Sequence, residues 1–372
     1  MLFLHGSNDL YGASRVLLAD VKSVLELGHP VRVVLPEEGP LTPLLNAAGA
    51  GVEIRPLQIL RRVRPRSALA WPLTAPVRID PGEVVVLWTL ALLSYLPALA
   101  VRGASVIVSV HELLPGLVGS ALAHLAGLTG LRAGRGQVIH PSRLVMANSE
   151  ATGAWLASHG VRRANVVYPA APPYLPVPRQ PGGPLRVLIA GRVSGWKGHV
   201  EGIDAVARLR RQGVDAELTL VGAPFPGQEA ELHRLLRRVR AAPFSRYLGQ
   251  VSDITPLLAQ HDVLLVSSLR PEPFGLVVLE AWAAGRRVVA PDEGGVAEAA
   301  RMVHGLVYRP RDVGAMAAAL GTVASETRLR EPPAAQAPAA YLCNQFRRRE
   351  FWGNALRRGP KDHADKASAL RP

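Results

Sequence analysis

Cysteine is almost missing from this chain: Cys343 is the single thiol in 372 residues. No internal disulfide can form, which fits a reducing compartment and a cytoplasmic location. Lysine is scarce too, with Lys22, Lys197, Lys361 and Lys366 the whole complement. Aromatic residues make up 5% of the sequence. With no nucleic-acid-binding motif present either, nucleic acid is not expected as a partner. The chain has no Asp-x-Asp pair to hold a divalent metal. Long apolar runs are missing as well. The most membrane-like stretch, Leu113–Leu131, contains Pro115 and glycines at 116, 119, 127 and 130. It barely reaches the ~20 residues a span needs and reads as a buried or interfacial helix. The N-terminus, Met-Leu-Phe-Leu-His-Gly, has no basic leader and reads as a buried first strand, not a signal peptide.

What is present is apolar mass and arginine. Hydrophobic residues reach 48%, and the length suits two domains of ordinary size. The net charge of +14 is spread along the chain, apart from the C-terminal tail and the cluster Arg61, Arg62, Arg64 and Arg66. That cluster beside the 113–131 stretch makes an anionic membrane surface a candidate partner, with peripheral attachment as the expectation. A solvated arginine-rich face is the alternative.

Short β-branched runs alternate with helical patterns, the mark of parallel α/β sheets. The first half predicts strands at 1–5, 31–35, 52–56, 84–88, 105–109, 144–147 and 165–168. Helices are predicted at 13–27, 91–100, 116–132 and 150–159. Residues 169–184 are dense in proline, which gives an extended, semi-rigid connection. The pattern restarts at Leu185, with strands at 217–222, 246–250, 263–267, 286–290 and 305–308. Helices are predicted at 198–212, 227–241, 254–261, 275–285, 295–301 and 312–325. Residues 329–340 read as a loop, and Tyr341–Arg358, with Phe346, Phe351, Trp352 and Leu356, as an amphipathic helix. The expected domains are 1–172, 173–340 and a C-terminal helix and basic tail over 341–372. Two doubly wound sheets of this kind hold ligands at their carboxyl edges.

The most informative segment is 271–295, PEPFGLVVLEAWAAGRRVVAPDEGG. Pro271 and Pro273 keep a helix from starting early, and Phe274-Gly275 make the turn that opens an apolar helix at Leu276. Gly285 ends it. Free amides at the helix start suit a phosphate. Glu272 lies just before that start and Glu280 about one turn inside. One carboxylate can therefore address a sugar on one side of a phosphate and the other a ribose. A second element, Gly191-Arg192-Val193-Ser194-Gly195-Trp196-Lys197-Gly198, follows the first strand of the second half. Its glycines allow close backbone approach, and Arg192 with Lys197 can converge on one diphosphate.

Together these elements resemble the retaining glycosyltransferases of family 4, which have the GT-B fold. The resemblance spans nearly the whole chain and is specific over 186–300. It implies two Rossmann-like domains facing across a cleft, with a terminal helix crossing back to the first. Glu272 then contacts the transferred sugar, and Glu280 the ribose hydroxyls. Arg192 and Lys197 favour departure of the nucleoside diphosphate, with Gly191, Phe274, Gly275 and Leu276 around the donor. His111-Glu112 resembles the element that faces the sugar from the first domain. Gly294-Gly295, beside Asp292 and Glu293, resembles a loop near the donor, although a tight turn explains it as well. Family members carry a glycine pair where this chain has Tyr11-Gly12, so Gly12 alone provides the close approach there. Asn148-Ser149-Glu150 is explained by helix capping.

The implied activity moves a sugar from a nucleotide-sugar donor to a hydroxyl on a sugar, a lipid-linked molecule or another acceptor. Such chemistry belongs to cell-surface polysaccharide or glycolipid synthesis. No cofactor is expected, and the basic pair makes a metal unnecessary. Two alternatives stay open: a nucleotide-sugar 2-epimerase on the same fold, and a non-catalytic sugar-nucleotide binding protein derived from it. Donor alone would be epimerised by the first, while retention of Arg192, Lys197, Glu272 and Glu280 together argues against the second.

Overall fold

The computed structural model describes residues 1–59, 77–80, 82–114, 143–161, 164–177, 182–225, 227–325 and 338–357. Arg61, Arg62, Arg64 and Arg66, the 116–132 helix and the tail beyond 357 lie outside the described residues. The chain divides into two compact units, Met1–Ala170 with Cys343–Pro372, and Ala171–Leu342.

In the first unit the order is β1 (Leu2–Leu4), α1 (Gly12–Glu26), β2 (Arg32–Leu35), α2 (Leu41–Ala47), β3 (Gly51–Ile54) and β4 (Val84–Leu87). A short 3₁₀ turn, Leu90–Tyr95, leads into α3 (Leu96–Val101). Then come β5 (Ser105–Val110), β6 (Arg143–Ala147), α4 (Glu150–Ser158) and β7 (Ala164–Val166). All seven strands pair in parallel, in the order β3-β2-β1-β4-β5-β6-β7. The buried strands read as continuous apolar runs because both sheet faces are covered; every residue of β4 is buried. Strand order reverses between β1 and β4, so their carboxyl ends, at His5 and Trp88, open the crevice where such sheets take ligands.

The second unit repeats the plan. Its elements are β8 (Leu185–Ala190), α5 (His199–Arg211), β9 (Ala216–Val221), α6 (Glu229–Arg240), β10 (Ser245–Tyr247), α7 (Thr255–Gln260) and β11 (Val263–Leu265). They continue with α8 (Leu276–Ala283), β12 (Arg287–Pro291), α9 (Gly294–Met302), β13 (Leu306–Tyr308) and α10 (Val313–Ser325). The parallel order is β10-β9-β8-β11-β12-β13, reversing between β8 and β11. Leu185, Val187, Leu218, Leu220, Val263 and Leu265 form the middle of its core against Ile203, Val206 and Leu320.

Two details depart from the sequence reading. Leu41–Ala47, between Pro40 and the glycine at 49, was not expected to be helical. Asn8 rescues it from a distance: its Oδ1 accepts the Leu41 N–H at 2.9 Å, and its amide donates to Glu37 O and Thr42 Oγ1, each at 2.8 Å. The last helix, α11, runs Pro338–Arg357 and starts earlier than Tyr341. Its inward face centres on Trp352, fully buried with its ring 5.6 Å from Phe3, while Phe346 is 69% exposed.

Arg348 ties α11 into the first unit. Nε donates to Asp20 Oδ1 at 2.7 Å, and Nη2 donates to Oδ2. Nη1 donates to the carbonyls of Val167 at 3.0 Å and Tyr168 at 2.9 Å. Both side chains are buried, so this pair is cut off from water and each charge depends on the other. Deleting one partner strands the other. Arg348→Ala or Asp20→Ala is expected to lower unfolding free energy by about 3–5 kcal/mol. Urea denaturation monitored by tryptophan fluorescence checks this, and a loss below ~1 kcal/mol would reduce the pair to a surface-like contact.

Candidate active site

In the second unit the candidate residues sit on loops that leave β8, β11 and β12 at their carboxyl ends. The 191–198 loop is drawn tight against the end of β11. Gly198 begins α5 at φ +66, where a Cβ would lie 1.9 Å from the Ser267 carbonyl oxygen. No other residue allows that approach. Ser267 Oγ donates to the Lys197 carbonyl at 2.9 Å, and Leu269 N–H donates to Trp196 O at 2.7 Å. These bonds hold the backbone of Lys197 in one place.

The Lys197 side chain crosses to Glu272: Nζ stands 2.7 Å from Oε2, and 4.7 Å from the centre of the Trp196 ring. Ser268 Oγ donates to the other carboxylate oxygen, so Glu272 is held at both oxygens while only 6% exposed. Its backbone is held too. The Glu272 carbonyl accepts the Gly295 N–H at 2.8 Å. Gly294 packs beneath at φ +70, where a Cβ would come within 2.7 Å of that carbonyl oxygen. The Gly-Gly element therefore works here as the support of Glu272. Among the described residues no group of three or more His, Cys, Asp or Glu is arranged to hold a metal.

Gly275 is the N-cap of α8 at φ +92 and supplies no side-chain cap. Leu276 and Glu280 are partly exposed on α8, whereas Phe274 is buried and anchors the loop in the core. Gly191 continues β8, its N–H bonded to Val221 O at 3.0 Å. Arg192 lies with its guanidinium 3.6 Å from the centre of the Phe225 ring. The structure thus joins Lys197 to Glu272 and lays Arg192 on a separate aromatic surface.

In the first unit, Gly12 opens α1, with Tyr11 as an N-cap that makes no side-chain cap bond. Asp9 shapes the turn instead. Its Oδ1 accepts from Tyr11 N at 3.0 Å and from Ser14 Oγ at 2.7 Å. Ser14 Oγ in turn lies 2.8 Å from His5 Nε2. Since the Ser14 proton is given to Asp9, the His5 ring must donate from Nε2. His111 directly follows β5, with Nε2 2.7 Å from Ser109 Oγ and its ring 4.7 Å from that of Trp88. Glu112 turns back: it accepts from Thr89 Oγ1 and, at 3.2 Å, from the His111 N–H. Burial pushes the Glu112 carboxyl up. Ser149 Oγ accepts the Thr152 N–H at 3.0 Å, the expected helix cap.

Sequence reasoning missed Ser268 and Trp88. Ser268 had a usable signal, a hydroxyl four residues before Glu272 at the end of a strand. Trp88 had a weaker one, an indole closing an apolar strand.

Residues 184–326 match the family described as Glycosyl transferases group 1. Glycogen synthase of Mycobacterium tuberculosis is 36% identical over 161 residues, 41% of this chain and 36% of that protein. D-inositol 3-phosphate glycosyltransferase of Jonesia denitrificans is 36% identical over 158 residues, 39% of this chain and 36% of that protein. This chain thus spans about a third of the length of these curated relatives. Among solved structures, HepE of Anabaena in complex with UDP and glucose aligns with TM-score 0.74 at 22% identity, over 95% of this chain and 98% of its own. WaaG, a glycosyltransferase involved in lipopolysaccharide biosynthesis, aligns with TM-score 0.59 at 19% identity, over 93% and 95%. These likenesses show the fold, two Rossmann-like domains of the GT-B type. No helix among the described residues is long and apolar enough to cross a membrane.

Three histidines near these loops are kept neutral. Burial lowers His5 to about 4, with Asp9 partly opposing it. Burial lowers His111 to about 3, helped by the charge of Arg348 and by His5. Burial lowers His199 to about 4, helped by Lys197. Each lies below its ordinary value of 6.5, so the unfolded chain takes up these protons first. The stability they contribute is complete above pH 6.5 and is lost as the pH falls through 4 and then 3; Glu112, shifted upward, acts in the opposite sense. In an NMR titration from pH 8 to 5 the three imidazoles should stay neutral. A His111 ring that protonates above pH 5 would contradict the burial argument.

Proposed function

We propose that this chain is a glycosyltransferase that moves a sugar from a nucleoside diphosphate to an acceptor hydroxyl with retention of configuration. The observation that carries the reading is the Lys197–Glu272 contact, 2.7 Å between a cation and a carboxylate on two loops at one sheet edge. A diphosphate arriving at the start of α8 competes with Glu272 for Lys197. The lysine then serves the phosphate, and the freed carboxylate is available to the sugar hydroxyls. The match of residues 184–326 to group 1 glycosyltransferases supports this assignment.

In the proposed reaction the bond between the anomeric carbon and the phosphate oxygen breaks, and its electron pair goes to the diphosphate. Lys197 favours that step because negative charge grows beside its positive charge, and Arg192 adds to it by turning from the Phe225 ring to the diphosphate. The acceptor oxygen bonds to the anomeric carbon on the same face, and its proton passes to the departing phosphate oxygen. Glu272 orients the sugar and Glu280 the ribose. His111 is the first unit's candidate for a sugar contact, as a neutral imidazole. In the second unit Gly191, Gly275 and Leu276 offer backbone to the donor, and Phe274 anchors the 271–276 loop. A divalent metal has no part in this scheme.

A uridine diphosphate sugar is the first donor to test, since HepE binds UDP-glucose. For the acceptor, an anionic sugar or lipid-linked hydroxyl is favoured by the net charge of +14 and by the inositol phosphate named for the Jonesia relative. Attachment to an anionic membrane through Arg61, Arg62, Arg64 and Arg66 fits the same charge.

Diphosphate release from a panel of nucleotide sugars, with and without acceptor, tests the assignment. Acceptor-dependent release is expected, whereas conversion of donor alone into its epimer would favour an epimerase. Arg192→Ala and Lys197→Ala should each lower kcat/KM by about 10²–10³, the loss typical of one transition-state donor. Normal turnover in both would remove the cation pair from the mechanism. Activity should survive excess EDTA; loss with recovery on adding Mg²⁺ or Mn²⁺ would place a metal in the reaction.

A further inference from the structure

One buried indole touches both first-unit elements that the site reading singles out. Trp88 is fully buried and follows β4 directly, at the reversal of strand order between β1 and β4. Its Nε1 donates to the Ala13 carbonyl at 2.9 Å, in the first turn of α1 beside Gly12. Its ring packs against that of His111 in a tilted arrangement, with centroids 4.7 Å apart and planes 31° apart. On another side it meets Phe3 at 5.7 Å, and Phe3 meets Trp352 of α11 at 5.6 Å.

The chemistry of these contacts is specific. A buried indole N–H needs an acceptor, and here the acceptor is a helix-opening carbonyl. That carbonyl belongs to the first turn of α1, so the indole tethers the start of the helix to the end of β4. His111 has Nε2 bound to Ser109 Oγ at 2.7 Å, which sets one edge of the imidazole. The adjacent indole sets its plane. A ring held at one edge and one face has a single orientation, and displacement of a contacting group by 1 Å can cost about 10²-fold in rate.

We infer that Trp88 is a positioning residue, acting through Ala13 on the start of α1 and through its ring face on His111. Trp88 itself touches no substrate in this scheme. The activity arm of the test rests on the glycosyl-transfer reading, and the spectroscopic arm does not.

The test uses the full chain with labelled histidine, the His111 signals being assigned with a His111→Gln variant. Trp88→Phe keeps a ring beside Phe3 and His111 but has no N–H. Its His111 resonances should stay near native, while the backbone amides of Gly12 and Ala13 shift. Trp88→Leu has no ring, and its His111 resonances should move toward those of an imidazole with no ring against it. In turnover, Trp88→Leu should lower kcat by about 10–10²-fold with donor KM little changed. Its effect should be smaller in a His111→Ala background, where only the route through Ala13 is left. Unmoved His111 signals in Trp88→Leu, or losses that multiply in the double variant, would overturn the inference. If Trp88→Leu fails to fold, Trp88→Phe decides alone: unshifted Gly12 and Ala13 amides would overturn it. Shifted resonances without turnover on any donor would leave the positioning intact and count against the glycosyl-transfer reading instead.

Discussion

The Lys197–Glu272 contact depends on two missing side chains. Gly198 lets the start of α5 press against the Ser267 carbonyl, and Gly294 lets the α9 loop press against the backbone of Glu272. With those approaches made, Lys197 and Glu272 lie on loops already bonded to each other, and their charged ends meet at 2.7 Å. A methyl group at Gly198 would collide with the Ser267 carbonyl, and one at Gly294 would crowd the Glu272 carbonyl. The electrostatics of the site thus follow from backbone packing, because charge pairs in partly buried loops are strong only when geometry is held.

Parallel pairing supplies the rest of the frame. Every strand of a parallel sheet delivers its carboxyl end to the same edge, and reversal of strand order opens a gap there. The gap between β8 and β11 receives the 191–198 loop and the serines at 267 and 268. The gap between β1 and β4 receives His5 and Trp88. The same construction therefore yields a charged cluster in one unit and an aromatic, neutral-histidine cluster in the other. In the first unit, burial keeps the imidazoles neutral.

The Asp20–Arg348 pair explains how a helix from the far end of the chain belongs to the first unit. A guanidinium satisfied by one carboxylate and two carbonyls is a demanding arrangement, since any shift of α11 would leave a buried charge unpaired. The cluster Trp88, Phe3 and Trp352 runs from that helix to His111 by ring contacts alone.

The alternating β-branched and helical runs were legible in the chain itself, because strand and helix periods are local properties of backbone and side-chain spacing. Almost every strand lies where those runs place it. The PEPFG turn and the glycines around Lys197 were equally plain, since proline and glycine limit the backbone within a few residues. Leu41–Ala47 was not, because its cap comes from Asn8, 33 residues earlier. Nor could spacing reveal that Lys197 meets Glu272 with Ser268 on the second oxygen, or that Trp88 joins Ala13 to His111. Those contacts join residues 4 to 75 positions apart, most of them across different loops. Sequence by itself determined the elements and the kinds of chemical group at their ends. Only the tertiary structure decided which of those groups touch, because pairing across loops is set by strand order and close backbone packing.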